Sequence, residues 1–266
     1  MDIEDLVRDH YSGTDLEDLV LAALERVGVD VDALSVEDLA GLDQLHAGSG
    51  AATAYLLDRL EFGVGETVLD VGCGIGGAAR LAGIRGSQVT GIDLSPDFVD
   101  LARALTARIG LDDGVRFDVG SATALPYDDR SFTRAMLIHA GMNIPDKAQV
   151  FREVRRVLES GGRFAVYEQM RIADGALTYP MPWADDGSAS FVETRDRYRE
   201  LLEAAGFRVE SEEDRTAANV AGGLPPAGAL TPGDLFGPGF PERITNNITA
   251  AMNGILGAVL MIAHAD

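Results

Sequence analysis

The stretch "VLDVGCGIGGAAR", residues 68–80, places an acid, Asp70, just ahead of Gly72, Gly74, Gly76 and Gly77. An apolar run ending in such a turn reads as a strand followed by a ligand-holding loop. Glycines allow left-handed backbone angles and close approach of the main chain to a ligand. The positions Gly72, Gly74 and Gly77 fit G-x-G-x-x-G, which taken alone indicates a dinucleotide fold. Asp70 argues otherwise. A pyrophosphate there would face an uncompensated anion, whereas a ligand with an ammonium end would be attracted. The next apolar run ends in a second acid, Asp93, placed to accept hydrogen bonds from both hydroxyls of a ribose. A ligand with an ammonium end and a ribose but no phosphate meets both demands, and S-adenosylmethionine is such a ligand.

Further along, "IHAGMNIPDK" (138–147) carries His139 at the end of a predicted strand, on the side where a ligand would sit. A histidine there serves either as a general base or as an orienting and packing residue. Met142 and Asn143 follow as candidates for an acceptor pocket, and Asp146 as the cap of a helix starting at Lys147. Trp183, in the proline-containing stretch "TYPMPWADDGSASF" (178–191), is a pocket wall or a loop anchor. An aromatic face would suit a cationic or methylated amine. Tyr11 and His46 are candidates for a lid. Cys73 reads as packing, since a reactive thiolate needs an activating neighbour.

These residues need a scaffold. Strands are expected at 67–71, 88–93, 115–120, 132–138, 163–169, 207–214 and 255–264. Helices are expected at 78–85, 95–110, 147–162, 192–206 and 241–253. Ser95 is an N-cap with Pro96 at the first helical position, and the paired Gly161 and Gly162 are expected to stop the 147–162 helix. Alternating strands and helices imply a largely parallel sheet covered on both faces. Residues 1–62 read as helices. Thr14 and Glu17 are spaced as a capping box, Ser35 and Asp38 mark a second start, and a third helix spans 50–60. The division is an N-terminal helical cap or lid (1–62) on a core (63–266) with insertions at about 173–190 and 222–241, forming one structural domain.

Composition narrows the class. The 266 residues carry 43 acidic and 22 basic side chains, a formal net charge of −21, and the hydrophobic fraction of 46% is enough for a sizeable core. Such a field would repel nucleic acid and anionic membranes. The apolar run 255–265 falls short of the roughly 20 residues of a membrane helix. The acidic start lacks the pattern of a signal peptide, so the expectation is a cytoplasmic enzyme. One cysteine excludes an intramolecular disulfide and any multi-cysteine zinc site, and no metal is expected.

The segments "VLDVGCGIGG", "VTGIDLSPDFVDLAR", "VGSATALPYDDRSF" and "RVLESGGRFAVYE" together resemble the class I S-adenosylmethionine-dependent methyltransferases, in order and spacing, over roughly 64–170. The resemblance implies a Rossmann-like α/β sheet of seven strands in the order 3-2-1-4-5-7-6, the last strand antiparallel. It implies Asp70 and Gly72–Gly76 at the methionine end, Asp93 and Leu94 at the ribose, and Ser121, Ala122 and His139 in the rest of the cofactor site. S-adenosylhomocysteine would be the product. Ser121 stands where the family commonly has an acid for the adenine amino group. The cap, the "Gly-Gly-Ala-Ala-Arg" continuation and the Asp146-Lys147 pair are similar to sarcosine/dimethylglycine and related small-molecule enzymes. An amine nitrogen of a small polar acceptor is the expected target, because His139 is the one plausible base, nitrogen transfer can proceed without one, and the net charge of −21 would draw cationic amines. The alternatives are an O-methyltransferase using His139 as base and a protein that binds the cofactor without catalysis. A monomer or homodimer is expected.

Overall fold

Seven segments rich in β-branched and apolar residues pair into one sheet in the computed structural model, which describes residues 16–61, 63–221, 226 and 228–266. The strands are β1 (Thr67–Val71), β2 (Gln88–Asp93), β3 (Val115–Val119), β4 (Phe132–Ile138), β5 (Leu158–Arg171), β6 (Phe207–Asp214) and β7 (Leu256–Ala265). Their order is β3-β2-β1-β4-β5-β7-β6. The first five run parallel, and β7 is antiparallel to both β5 and β6. The expected fold and strand order are observed. β7 lies between two strands, which accounts for its unbroken apolar sequence, because both of its faces are covered.

Among the described residues, three helices, α1 (Leu16–Arg26), α2 (Val36–Leu39) and α3 (Ser49–Arg59), precede the sheet. Ser35 and Asp38 cap α2 reciprocally. The other expected capping residue, Thr14, lies outside the described residues, as does Tyr11. Between the strands run α4 (Gly77–Gly83), α5 (Pro96–Arg108), α6 (Lys147–Val157) and α7 (Arg195–Ala204). α5 begins as expected, with the Ser95 side chain accepting from the amide of Phe98 and Pro96 inside the first turn. Asp146 caps α6 by accepting from the amide of Gln149.

One element departs from its expected span. α6 ends at Val157, five residues before Gly162, where the spacing predicts the helix to continue. Leu158 is extended (φ −81°, ψ 138°) and pairs with Phe132, so β5 starts there. Burial of Leu158 beside Phe132 outweighs one more helical turn. Gly161, at φ +79°, then turns the chain inside this segment rather than capping the helix. The 222–241 stretch is also less irregular than its glycines and prolines imply. After α8 (Thr216–Ala221), α9 (Gly233–Phe236) and α10 (Phe240–Met252) form a wall above the sheet. Residues 222–225 and 227 lie outside the described residues.

Two apolar layers sandwich the sheet, one built around Phe151, Phe164 and Tyr198, the other around Leu57, Met136 and Leu260. A third cluster joins Leu24, Leu39 and Leu42 to Ile75 of the glycine turn and Phe98 of α5. It binds the N-terminal helices to the edge where the strands deliver their chemistry.

Candidate active site

The carboxyl ends of β1, β2, β4 and β5 open into a cavity of about 1080 Å³. That is at the upper limit of pockets for one small ligand, roughly 300–1,000 Å³, so the space suits two molecules side by side. In open α/β sheets this edge is where ligands bind.

One half of the cavity is built by the glycine turn. Gly72, Gly74 and Gly76 all have positive φ, at 71°, 52° and 86°. A Cβ on Gly72 would lie 2.3 Å from the Ala140 Cβ, so glycine is needed there for both conformation and space. The Asp93 carboxylate accepts from the amides of Gly74 (2.8 Å) and Ser95 (3.0 Å), tying the turn to the end of β2. Asp70 is buried under the turn, and its Oδ2 has no hydrogen-bond partner among the described residues. Burial, with the Asp93 charge beside it, raises the Asp70 carboxyl to about 7. A buried carboxyl with a free oxygen on a cavity is suited to an ammonium group, which would restore its ionised form. Leu94, Ser121 and Ala122 line the same half. The Ser121 hydroxyl accepts from the amide of Thr123 and shares a 2.8 Å hydrogen bond with the Thr123 hydroxyl.

The N-terminal helices reach this half through a buried ion pair. Arg80 of α4 donates to Asp43 (2.9 Å), to the carbonyl of Ile75 (2.7 Å) and to Thr106 (3.1 Å). Gly77 admits this contact, since a Cβ there would stand 2.3 Å from the Asp43 carbonyl oxygen. Asp43 and Arg80 were not singled out by the sequence, although "Gly-Gly-Ala-Ala-Arg" contains the arginine. Cys73 is buried behind the turn, where burial and the charges of Asp93 and Asp70 push its thiol up, in keeping with a packing role.

His139 stands at the boundary of the two halves. It follows β4 with φ +50°, and its amide donates to the Tyr167 carbonyl at 2.8 Å. Its Nε2 is buried with no hydrogen-bond partner among the described residues. Loss of surrounding water, and secondarily His46, holds its pKa well below 6.5, so the ring is neutral near pH 7. The sequence treated His139 and His46 separately, whereas the structure sets their rings 5.9 Å apart. His46 is held by the Ala47 carbonyl, Gln44 and Thr53, and burial lowers it to about 4.

The other half is apolar. Met142, Asn143 and Trp183 all line the cavity. Asn143 also donates to the carbonyls of Trp183 (2.7 Å) and Ala189 (3.2 Å), and the Trp183 indole donates to Ser190. Trp183 is thus both wall and anchor. Its neighbours Met142, Met181 and Leu256 form a separate apolar cluster. The sequence reading missed the opposite wall, where Phe240, Ile244, Ile248 and Ala251 of α10 face the cavity. Their spacing is that of one helix face, and this pattern was legible. Gln169, two residues beyond Tyr167 on the same face of β5, was also missed. Among the described residues, no group of three His, Cys, Asp or Glu side chains is arranged to hold a metal ion. None of the described helices is long and apolar enough to cross a membrane.

Residues 69–166 match the family described as methyltransferase domain. Methyltransferase GfsG of Streptomyces halstedii is 37% identical over 174 residues, 64% of this chain and 63% of that protein. The 27-O-demethylrifamycin SV methyltransferase of Amycolatopsis mediterranei is 33% identical over 178 residues, 61% of this chain and 63% of that one. The chain therefore matches less than two thirds of the length of either relative. The fold is shared with geranyl diphosphate C-methyltransferase from Streptomyces coelicolor, solved with S-adenosyl-L-homocysteine. The TM-score is 0.68 at 20% identity, covering 96% of this chain and 99% of that one.

Proposed function

From a chain that carries a methyltransferase domain at residues 69–166 on the class I S-adenosylmethionine-dependent fold, we propose methyl transfer to a neutral, largely apolar small molecule through oxygen. The observation that carries the reading is the divided cavity, charged and glycine-built on one side, apolar on the other, with the neutral ring of His139 in its lining.

When bound, S-adenosylmethionine supplies an activated methyl group on a sulfonium and is left as neutral S-adenosylhomocysteine. The free Oδ2 of Asp70 and the space kept open by Gly72, Gly74 and Gly76 fit its methionine end. Asp93 and Leu94 would hold the ribose, and Ser121 and Ala122 would border the adenine. Because the leaving group is neutral, no acid is required of the protein. The chain's tasks are alignment and exclusion of water. The Asp43–Arg80 pair holds the loop bearing His46 against the glycine turn, so the N-terminal helices close this side as a lid. His139 would accept the proton of the attacking hydroxyl on its neutral ring, the form able to take up a proton.

Oxygen is favoured over the amine nitrogen expected from the sequence by the lining of the acceptor half. The walls supplied by Met142, Asn143, Trp183 and α10 carry no charged side chain among the described residues, and the Asp146 carboxylate that also lines the cavity is engaged as the cap of α6. The relative named for 27-O-demethylrifamycin SV lends the same support, since the acceptor in its name is an O-demethyl compound.

The test has two stages. Calorimetric titration should give binding of S-adenosylmethionine and none of NAD. Incubation with S-adenosylmethionine and a panel of phenols, alicyclic alcohols, glycine, sarcosine and dimethylglycine should then yield singly methylated ethers by mass spectrometry. Methylation confined to the amines would overturn the oxygen assignment. Firm cofactor binding with no product from any class would favour a binding protein without catalysis.

A further inference from the structure

His139 lines the cavity on a stretch of backbone that needs holding. Its φ of +50° lies in the left-handed region, which a residue with a Cβ keeps only where its surroundings enforce it. Two hydrogen bonds do so, one on each side of its Cα. The amide of His139 donates to the Tyr167 carbonyl at 2.8 Å, which fixes the peptide before it. The amide of Ala140 donates to Glu168 Oε1 at 3.1 Å, which fixes the peptide after it. The same Oε1 accepts from the amide of Gly141 at 2.8 Å. Peptide groups are planar, so holding both of them sets φ and ψ of His139 and the direction in which its side chain leaves the backbone. Consecutive residues of β5 do this, Tyr167 through its main chain and Glu168 through its side chain.

The packing is arranged around this carboxyl. Glu168 is fully buried and lies behind the cavity, outside its lining. A Cβ on Gly141 would stand 3.1 Å from Glu168 Oε1 and 2.9 Å from the Tyr198 hydroxyl oxygen, so glycine is what lets the carboxyl approach these amides. Lys147 holds the far end of the same loop by donating to the carbonyls of Ile144 (2.8 Å) and Phe191 (2.5 Å). Burial raises the Glu168 carboxyl to about 8, against the pull of the Gly141 amide and Lys147. Near pH 7 its Oε1 therefore accepts as a carbonyl oxygen does, a task that a glutamine amide oxygen can take over. An apolar side chain at 168 would avoid the cost of burying a carboxyl, but it would strand the Gly141 amide and release the peptide after His139.

We infer that Glu168 is a positioning residue for methyl transfer, which acts from outside the cavity by fixing the Ala140 and Gly141 amides and so the place of His139. This rests on the proposed reading of His139 as the base for a hydroxyl acceptor, and adds to it the group that sets where that base stands.

The experiment is a double-mutant cycle on single-turnover rates in the full chain, with saturating S-adenosylmethionine and 2-naphthol or 2-decalol as the hydroxyl acceptor. Glu168→Met removes the accepting oxygen at similar volume, and Glu168→Gln keeps it. Glu168→Met should lower the rate at saturating acceptor by about 30- to 100-fold, the order for a reacting group displaced by about 1 Å, with acceptor KM and cofactor affinity within about threefold of wild type. Glu168→Gln should stay within about threefold of wild type, because it accepts the same two bonds. In the His139→Ala background, where no base is left to place, Glu168→Met should change the residual rate by less than about threefold. Gly141→Ala, which presses the carboxyl away from the amides, should lower the rate in the same way, and it replaces Glu168→Met in the cycle if that variant does not fold. Equal losses in both backgrounds, a Gln variant as slow as the Met variant, or wild-type rates in Glu168→Met and Gly141→Ala overturn the inference and leave the role of His139 standing. His139→Ala as fast as wild type, or no product from either alcohol with the cofactor bound, overturns the oxygen reading itself and this inference with it.

Discussion

The two halves of the cavity are made in opposite ways. The glycine-turn half comes largely from residues 70–94, close in sequence, and relies on backbone shape and buried charge. The acceptor half gathers side chains from β4, β5, the 173–190 loop and α10, more than a hundred residues apart at the extremes, and relies on apolar surface with a few polar atoms. A ligand with fixed chemistry can be read by main-chain geometry and ion pairing. An acceptor is read by shape, which any surface segment can supply. The contrast teaches that damage to the first half should abolish cofactor binding, whereas damage to the second should leave it intact.

The sharpest way to break that contrast is Arg80→Ala. The buried Asp43 would lose its partner, and removing one member of a buried pair costs about 3–5 kcal/mol. Denaturant melts should report this loss, and calorimetry should find S-adenosylmethionine binding lost or greatly weakened. Unchanged cofactor affinity would show that the N-terminal helices are not coupled to the glycine turn.

His139→Ala probes the boundary. Turnover of a hydroxyl acceptor should fall by roughly 10²–10⁴, the range for a lost general base, with cofactor affinity nearly unchanged. Single-turnover kinetics separate this from weaker binding. A rate within threefold of wild type would reduce His139 to an orienting residue.

Asp70→Asn should weaken cofactor binding by about 1–3 kcal/mol, as for a lost charge-assisted hydrogen bond. Its pH dependence gives a second reading. With the free carboxyl at about 7, binding an ammonium requires losing its proton below that pH. Wild-type affinity should therefore decline as pH falls from 8 to 6, and the Asn variant should lack the Asp70-linked part of that decline. His139, already held neutral over this range, adds no such step. The same carboxyl has a sign for stability. Its folded pKa is raised, so the stability it contributes is full below about 4 and is lost as pH rises through about 7.

The smallest expected effect lies in the acceptor half. Ile248→Ala should raise the acceptor KM by a few-fold to some tens of fold through lost apolar contact, on the order of 1–2 kcal/mol. Its cofactor affinity should match wild type in the same titration. An equal loss of both would mean that the two halves do not act separately.

Much of this was present in the order of residues. Asp70, Gly72, Gly74 and Asp93 form a site from local pattern, since a strand end, a glycine turn and the next strand end must meet at one sheet edge. The strands at 67–71, 88–93, 132–138 and 207–214 carry their spans in their own periodicity. The break after Val157 did not, because helix and strand compete there and the Leu158–Phe132 pairing decides. Gln169 and Asn247 were silent in the sequence for a related reason. An amide on a strand or helix is usually satisfied by a neighbour or by water. Only the folded chain encloses both oxygens without a partner among the described residues. The sequence alone determined the alternation of strands and helices and the glycine turn at the sheet edge, because these depend on short-range pattern and chain connectivity, while the strand order came from the family resemblance. The tertiary structure decided the acceptor wall, the pairing of His46 with His139 and the buried Asp43–Arg80 link. Each of these joins segments with no local signal for one another, and burial sets its energy only after the chain has closed around it.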